Sequence, residues 1–305
     1  MRKRKFRTGV FIIGALIFAA STLTAQRSKP KPQAKTPKSV IFAVLGDGKL
    51  LEPVAYLNKN KLEAAANGSD ESGIISAFNR TYYKAGTNYR LIFGGAAAGT
   101  VTVKASNAKS DCSKNIATAV TVSPSTSLKG LVMGLATNSA GKGNAKSFRR
   151  KPTAAEKDEI ESLVRVEYAR QRLTPKLLRY HNLTALDLEN DGKPEFVGSY
   201  WVEIDRLTRG LLFFIAGQDS GGKYAVGYSE YVVVDQAGVM SGDIKNVDEG
   251  VYHELLLDAY DYDGDGTSNI FTYVQSFEGA GFNAYSRSGG KWIKTFEGSN
   301  YHCGY

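Results

Sequence analysis

Histidine, cysteine and long apolar runs are scarce in this chain of 305 residues. Each scarcity excludes something. The three histidines are His181, His253 and His302. His253-Glu254 opens like a zinc-protease helix, but the second histidine that motif needs is replaced by Leu257. Gly94 to Thr100 is glycine-rich like a phosphate loop, yet no lysine precedes Thr100 and the segment runs into a strand pattern. Gly-x-Ser-x-Gly does not occur. Glu203 and Asp205, or Glu230, offer a carboxylate pair of the glycosidase kind, but spacing alone does not distinguish them from ordinary surface carboxylates. No constellation of catalytic residues emerges.

Acidic residues are absent from the first 38 positions, which hold ten of the 39 lysines and arginines. The formal charge of +9 therefore belongs to that segment. Beyond it, 29 basic residues face 30 acidic ones, which excludes a nucleic-acid-binding face built on the basic pI. Arg2, Lys3, Arg4, Lys5 and Arg7 precede an apolar run from Gly9 to Ala20. Small and polar residues follow, up to Ala25. A basic start, a short apolar core and a small residue before the cut are the parts of a secretory signal peptide. Residues 1–25 are expected to be cleaved at Ala25-Gln26, giving a secreted or periplasmic protein. The run falls short of the roughly 20 residues a transmembrane helix needs, and no later segment is long and apolar enough to supply one. Residues 26–38, rich in Pro and Lys, cannot bury enough apolar surface to fold and are expected to be a disordered tether.

The two cysteines, Cys112 and Cys303, lie 191 positions apart. In an exported chain they are either a disulfide that staples two modules or two separate thiols.

Residues 39–137 read as a β domain, a small sandwich or barrel. Val40 to Leu45 is an apolar run that stops at Gly46-Asp47-Gly48. Tyr89–Phe93, Thr100–Val103, Ala119–Val122 and Leu128–Leu135 look similar, and Leu62–Ser76 reads as a loop. Residues 138–152 read as a linker. Thr153-Ala154-Ala155-Glu156 matches a capping box and opens one connecting α-helix in 153–180, which Pro175 stops or restarts. The expected fold class is mainly β.

Residues 181–305 hold 19 acidic residues and 8 basic ones, and they contain an internal repeat. One copy begins Asp187-Leu188-Glu189-Asn190-Asp191-Gly192-Lys193-Pro194-Glu195, then a strand from Phe196. The other begins Asp261-Tyr262-Asp263-Gly264-Asp265-Gly266-Thr267-Ser268-Asn269, then a strand from Ile270, 74 positions later. Ser220-Gly221-Gly222-Lys223-Tyr224 is echoed by Ser288-Gly289-Gly290-Lys291-Trp292.

Calcium takes six to eight oxygens, and a short loop supplies them when alternate side chains point inward and a glycine allows the sharp turn. Asp187, Glu189 and Asp191 alternate in this way, as do Asp261, Asp263 and Asp265. The carbonyls of Lys193 and Thr267 are the expected seventh-position ligands, and Glu195 and Asn269 close the two sites. These are not EF-hands, because position 12 is Gly198 or Thr272 and strands follow. The alternative is a pair of metal-free Asp/Gly turns. The pattern resembles the integrin-like FG-GAP and VCBS repeats over residues 181–305. That resemblance implies calcium-binding loops that lead into blade strands. Glu189 and Asn269 depart from it, since Asp or Asn usually holds the third position and Glu the ninth. Two repeats cannot close a propeller, which needs at least four blades, so two blade-like antiparallel units are expected to pack together.

The leading expectation is an exported, non-enzymatic calcium-binding β protein with a binding or structural role at the cell envelope. Its partner would be an envelope protein or a glycan. The rival is an exported hydrolase or carbohydrate-active protein with a site between the modules. Eleven of 17 tyrosines and both tryptophans lie in 181–305, which suits sugar stacking or plain cross-strand packing equally. A third reading is a subunit that docks its acidic half on a basic partner.

Overall fold

Val40 to Leu45 explains its own unbroken apolar pattern: the strand it forms is covered on both faces. Val40, Phe42 and Val44 point one way, and Ile41 and Ala43 the other, with all five fully buried. The computed structural model describes residues 37–123, 126–141, 143–239 and 246–303. The expected signal peptide and residues 26–36 of the expected tether lie outside the described residues.

The N-terminal part contributes β1 (Ser39–Leu45), β2 (Leu50–Asn58), β3 (Lys61–Ala64), α1 (Ser72–Tyr82), β4 (Asn88–Phe93), β5 (Ala96–Ser106), β6 (Ala117–Val122) and β7 (Gly134–Thr137). Six strands close a barrel in the order β1-β7-β4-β5-β6-β2, with β2 pairing back to β1, and β3 hangs on the outer side of β2. Its interior holds Phe42, Tyr89, Leu91 and Val101. Phe78, Tyr82 and Tyr83, from α1 and the residue after it, join the same core.

The segment read as a loop, Leu62 to Ser76, is loop only in its middle, at 65–71; its ends are the last three residues of β3 and the first turn of α1. Gly73 and two serines weaken helix propensity there, and Glu71 provides no side-chain cap. What makes the helix is tertiary: Ile75, Phe78 and Tyr82, at helical spacing, are buried. Each such burial contributes roughly 1.5–3 kcal/mol, more than the local propensity costs. Leu128 to Leu135 is also corrected, since only Gly134–Thr137 is strand.

The C-terminal part contributes β8 (Arg149–Arg150), α2 (Ala154–Arg170), β9 (Arg179–Leu186), β10 (Glu195–Asp205), β11 (Thr208–Gln218), β12 (Tyr224–Asp235), β13 (Glu254–Tyr260), β14 (Asn269–Gln275), β15 (Gly279–Ser288) and β16 (Lys291–Tyr301). The capping box is present as read: the Thr153 hydroxyl accepts from the Glu156 N–H, and the Glu156 carboxylate accepts from the Thr153 N–H. α2 ends at Arg170, before Pro175, and no helix restarts before β9. The linker contains β8, which pairs with β9.

Each repeat copy is a four-stranded antiparallel meander, β9 to β12 and β13 to β16. They are two open sheets, not a closed propeller. They stack as layers. The barrel's outer residues Ile41, Ile92 and Leu135 pack on Leu257, Phe271 and Phe282 of the second meander. That sheet's other face, with Leu256, Ile270 and Tyr285, packs on Val197, Phe213 and Ile215 of the first meander. The first meander's far face is covered by Ile160, Val164 and Tyr168 of α2. Three apolar seams therefore run in series, and residues 37–305 form one compact unit.

The barrel is joined to the second meander by polar ties as well. Asp258, fully buried in β13, accepts from the backbone N–H groups of Gly94 and Gly95 at 3.1 and 3.0 Å and from Arg149 at 2.6 Å. Gly94 and Gly95 have φ of +61° and +79°, and a Cβ on either would press on Phe148 or Asn144. The glycine-rich turn thus does receive an anion through its N–H groups, and the anion is the chain's own carboxylate. At the opposite end, Asn300 and His302 reach Glu52 of β2. Cys112 and Cys303 lie at disulfide distance, 2.02 Å between sulfurs and 5.2 Å between Cα atoms.

Candidate metal loops

The two acidic loops connect β9 to β10 and β13 to β14, and they share one backbone. In the second, both Asp261 oxygens accept backbone N–H groups, from Gly264 (2.7 Å) and Gly266 (3.1 Å), and Asp265 accepts from Thr267 N–H (2.8 Å). In the first, Asp187 accepts from Asp191 (3.1 Å) and Gly192 (3.0 Å), and Asp191 accepts from Lys193 (2.9 Å). The fourth and sixth positions are left-handed in both: Asn190 at +55° and Gly192 at +82°, Gly264 at +78° and Gly266 at +92°. Glycine and asparagine are the residues that adopt this region cheaply. Local Asp-to-N–H bonds and two permissive residues are enough to write the loop into nine positions.

The third and ninth positions separate the copies. Oxygens of Asp261, Asp263 and Asp265 lie within 4.8 Å of one another, the one group of three or more such ligands among the described residues. The Asp263 carboxyl is pushed up, by burial first and then by the Asp265 charge. Asp263 Oδ1 is buried and receives no hydrogen bond. Asn269 is 2% exposed; its amide N–H bonds Ser286 at 2.9 Å, and its Oδ1 is likewise buried with no donor. Such orphaned acceptors are unusual in a folded chain.

In the first loop, Glu189 is engaged by Arg287, from β15 of the other copy. Glu195 is 5% exposed and accepts from the Leu188 N–H at 2.6 Å. Burial pushes its carboxyl up to about 7, against that N–H bond, with Asp191 and Asp187 adding repulsion. Lys193 Nζ stands 3.7 Å from Asp191.

The loops touch. Ser268 N–H donates to Leu188 O (2.7 Å), and the Asn190 amide to Gly266 O (3.1 Å). Asn144 lies between them, donating to Asp187 O and accepting from Asn190 and Ser268. Asn60 of the barrel part reaches Asp263 O at 3.2 Å. Sequence reading missed Asn144, Asn60 and Arg287 because their partners are 43 to 203 positions away and nothing local marks them. Asn190, at a loop position the motif leaves free, carried a signal in its αL preference.

The other singled-out residues lie elsewhere. Glu203 and Asp205 are exposed at the end of β10. His302 bonds Glu52 and its pKa is raised by that bond. His181 and His253 stack with ring centres 4.2 Å apart. Both have lowered pKa values, and burial brings that of His253 to about 4. Among the described residues, no helix is long and apolar enough to cross a membrane. No protein-family model, curated protein or solved structure matches the chain.

Proposed function

We propose that this chain is an exported, non-enzymatic, calcium-binding β protein that serves at the cell envelope by binding a partner protein or glycan, or as a structural element. One observation carries the calcium reading: three clustered carboxylates together with two buried acceptor oxygens, on Asp263 and Asn269, that no donor satisfies. A hard dication supplies what both lack. Asp261, Asp263, Asp265, the Thr267 carbonyl and Asn269 would hold it. The donor set is all oxygen, which suits calcium over zinc. The first loop would take a second ion through Asp187, Asp191, the Lys193 carbonyl and Glu195, and more weakly, because Glu189 is held by Arg287. The export half of the reading rests on the basic start and the short apolar run.

Binding to the folded state alone stabilises by about 2.7 kcal/mol at a hundredfold excess over Kd. For a unit of this size that is a rise of roughly 5–10 °C. Melting the protein in calcium and in chelator reads this directly, and equal midpoints would overturn the calcium reading. Sequencing the N-terminus of protein recovered outside the cytoplasm tests export, with Gln26 the expected first residue.

A further inference from the structure

A cleft of about 480 Å³ opens between the two meanders, on the seam away from the acidic loops. That volume is in the range of small-molecule sites. One wall is the first meander. Register places Ser199, Phe213 and Glu230 in one row across β10, β11 and β12, and Trp201, Leu211 and Val232 in the next. Directly opposed residues of antiparallel strands share a face, so these rows look at the second meander. The other wall carries Val274 and Glu254, which are paired across β14 and β13.

The lining is mostly apolar, with a few polar groups that converge. Glu254 is the most firmly fixed of them. Thr272, Asn283 (2.9 Å) and Tyr285 (2.7 Å) all donate to one of its oxygens, Oε1. Three donors on one oxygen orient the carboxylate of a residue that lines the cleft. Glu230 is bound by Lys294 at 2.9 Å and by the Tyr228 hydroxyl at 2.9 Å. Among the described lining residues the charged groups and imidazoles are two carboxylates, one ammonium and His253. Burial lowers the His253 pKa to about 4, so it is neutral at pH 7. Among those described residues one negative charge is uncompensated inside apolar walls.

The geometry points to a binding site for a small organic cation: an ammonium group on an apolar body, with the ammonium on Glu254 and the body against Phe213, Val232 and Val274. A neutral ligand of the same shape gains the apolar contact alone. An anionic one meets Glu254 and Glu230. The site is independent of the acidic loops, which lie at the far ends of β9 and β13.

Calorimetric titration of the full chain tests it, with 2-phenylethylamine, 2-phenylethanol and 3-phenylpropionate as probes. Running each in calcium and in chelator keeps the result separate from the calcium reading. The amine is expected to bind about tenfold more tightly than the alcohol, the worth of one good charge-assisted bond, and the acid is expected not to bind. Glu254→Gln keeps an acceptor for Thr272, Asn283 and Tyr285 and should reduce the amine to the alcohol's affinity. Val232→Lys places an ammonium at the cleft's lip, where Val232 is 47% exposed, so folding is spared. It should weaken the amine at least tenfold and the alcohol far less. Equal binding of amine and alcohol, no binding of the amine, or an amine preference that survives either substitution would overturn the proposal.

Discussion

The two meanders have the same strand order, the same turn chemistry and the same loop backbone, yet they live in different surroundings. The second lies between the barrel and the first, so its opening strand, Glu254-Leu255-Leu256-Leu257-Asp258-Ala259-Tyr260, is buried almost throughout. The first lies between its sister and α2, and in its opening strand, β9, five of the eight residues are exposed or half-buried. A strand covered on both faces must be apolar or carry fully satisfied polar groups. Asp258 is the one acid in that strand's interior, and every donor around it is accounted for. The lesson is that one repeated pattern fills two layers, and the layer decides which departures are tolerated.

The largest expected effect breaks this comparison at Asp258. Asp258→Asn leaves Arg149, whose side chain is 7% exposed, without its counter-charge. Removing one partner of a buried pair costs about 3–5 kcal/mol. The matching position in the first meander, 74 residues earlier, is Thr184, half-buried in β9, and Thr184→Ser should cost about 0.5 kcal/mol or less. Urea unfolding of both variants measures the contrast, and equal costs would contradict the layered account.

Next comes the contrast between the loops. The pair Asp263→Asn and Asp265→Asn should abolish most of the calcium-induced rise in melting temperature, about 2.7 kcal/mol at a hundredfold excess over Kd. Asp187→Asn with Asp191→Asn should remove the smaller part. The reverse ranking would mean that Glu189 leaves Arg287 readily.

A pH effect follows at the contact between copies, where His181 of β9 stacks on His253 just before β13. Asp248 opposes the shift of His253, and the Trp201 ring lies 6.2 Å away. Both imidazoles have folded-state pKa values below the ordinary 6.5. Between pH 6.5 and about 4 the unfolded chain therefore binds more protons than the folded one. The stability from the neutral stack is complete above pH 6.5 and is lost as pH falls toward 4. His253→Gln should flatten that part of the stability profile relative to the unchanged chain.

The smallest effect sharpens the loop comparison. Arg287→Gln releases Glu189. In chelator it should cost at most about 1 kcal/mol, as partly exposed ion pairs do. In calcium, the first loop should bind more tightly, seen as a steeper second phase in a calcium titration.

Much of this is legible in residue type and spacing alone. The repeat, the capping box and the loops rest on contacts within about six residues, so residue type and spacing already contain them. Asp187 and Asp191, like Asp261 and Asp265, need only the next few N–H groups to set their turns. β4, β5 and β6 were legible because β-branched and apolar residues recur between turn formers. Helix α1 was not, because its local signals are weak and only the barrel core makes it worth forming. Nor was the fate of Glu189, since the arginine that holds it arrives 98 positions later.

By itself, then, the sequence determined a mainly β chain with two copies of one acidic loop, through forces that act along a few residues. Only the tertiary structure decided that the cysteines meet, that the loops lie side by side on Asn144, that one loop keeps its three carboxylates while the other lends one away, and that Glu254 ends in a cleft. Those outcomes depend on which distant strands share a layer. Layer choice is set by the sum of many small apolar burials, which no single motif records.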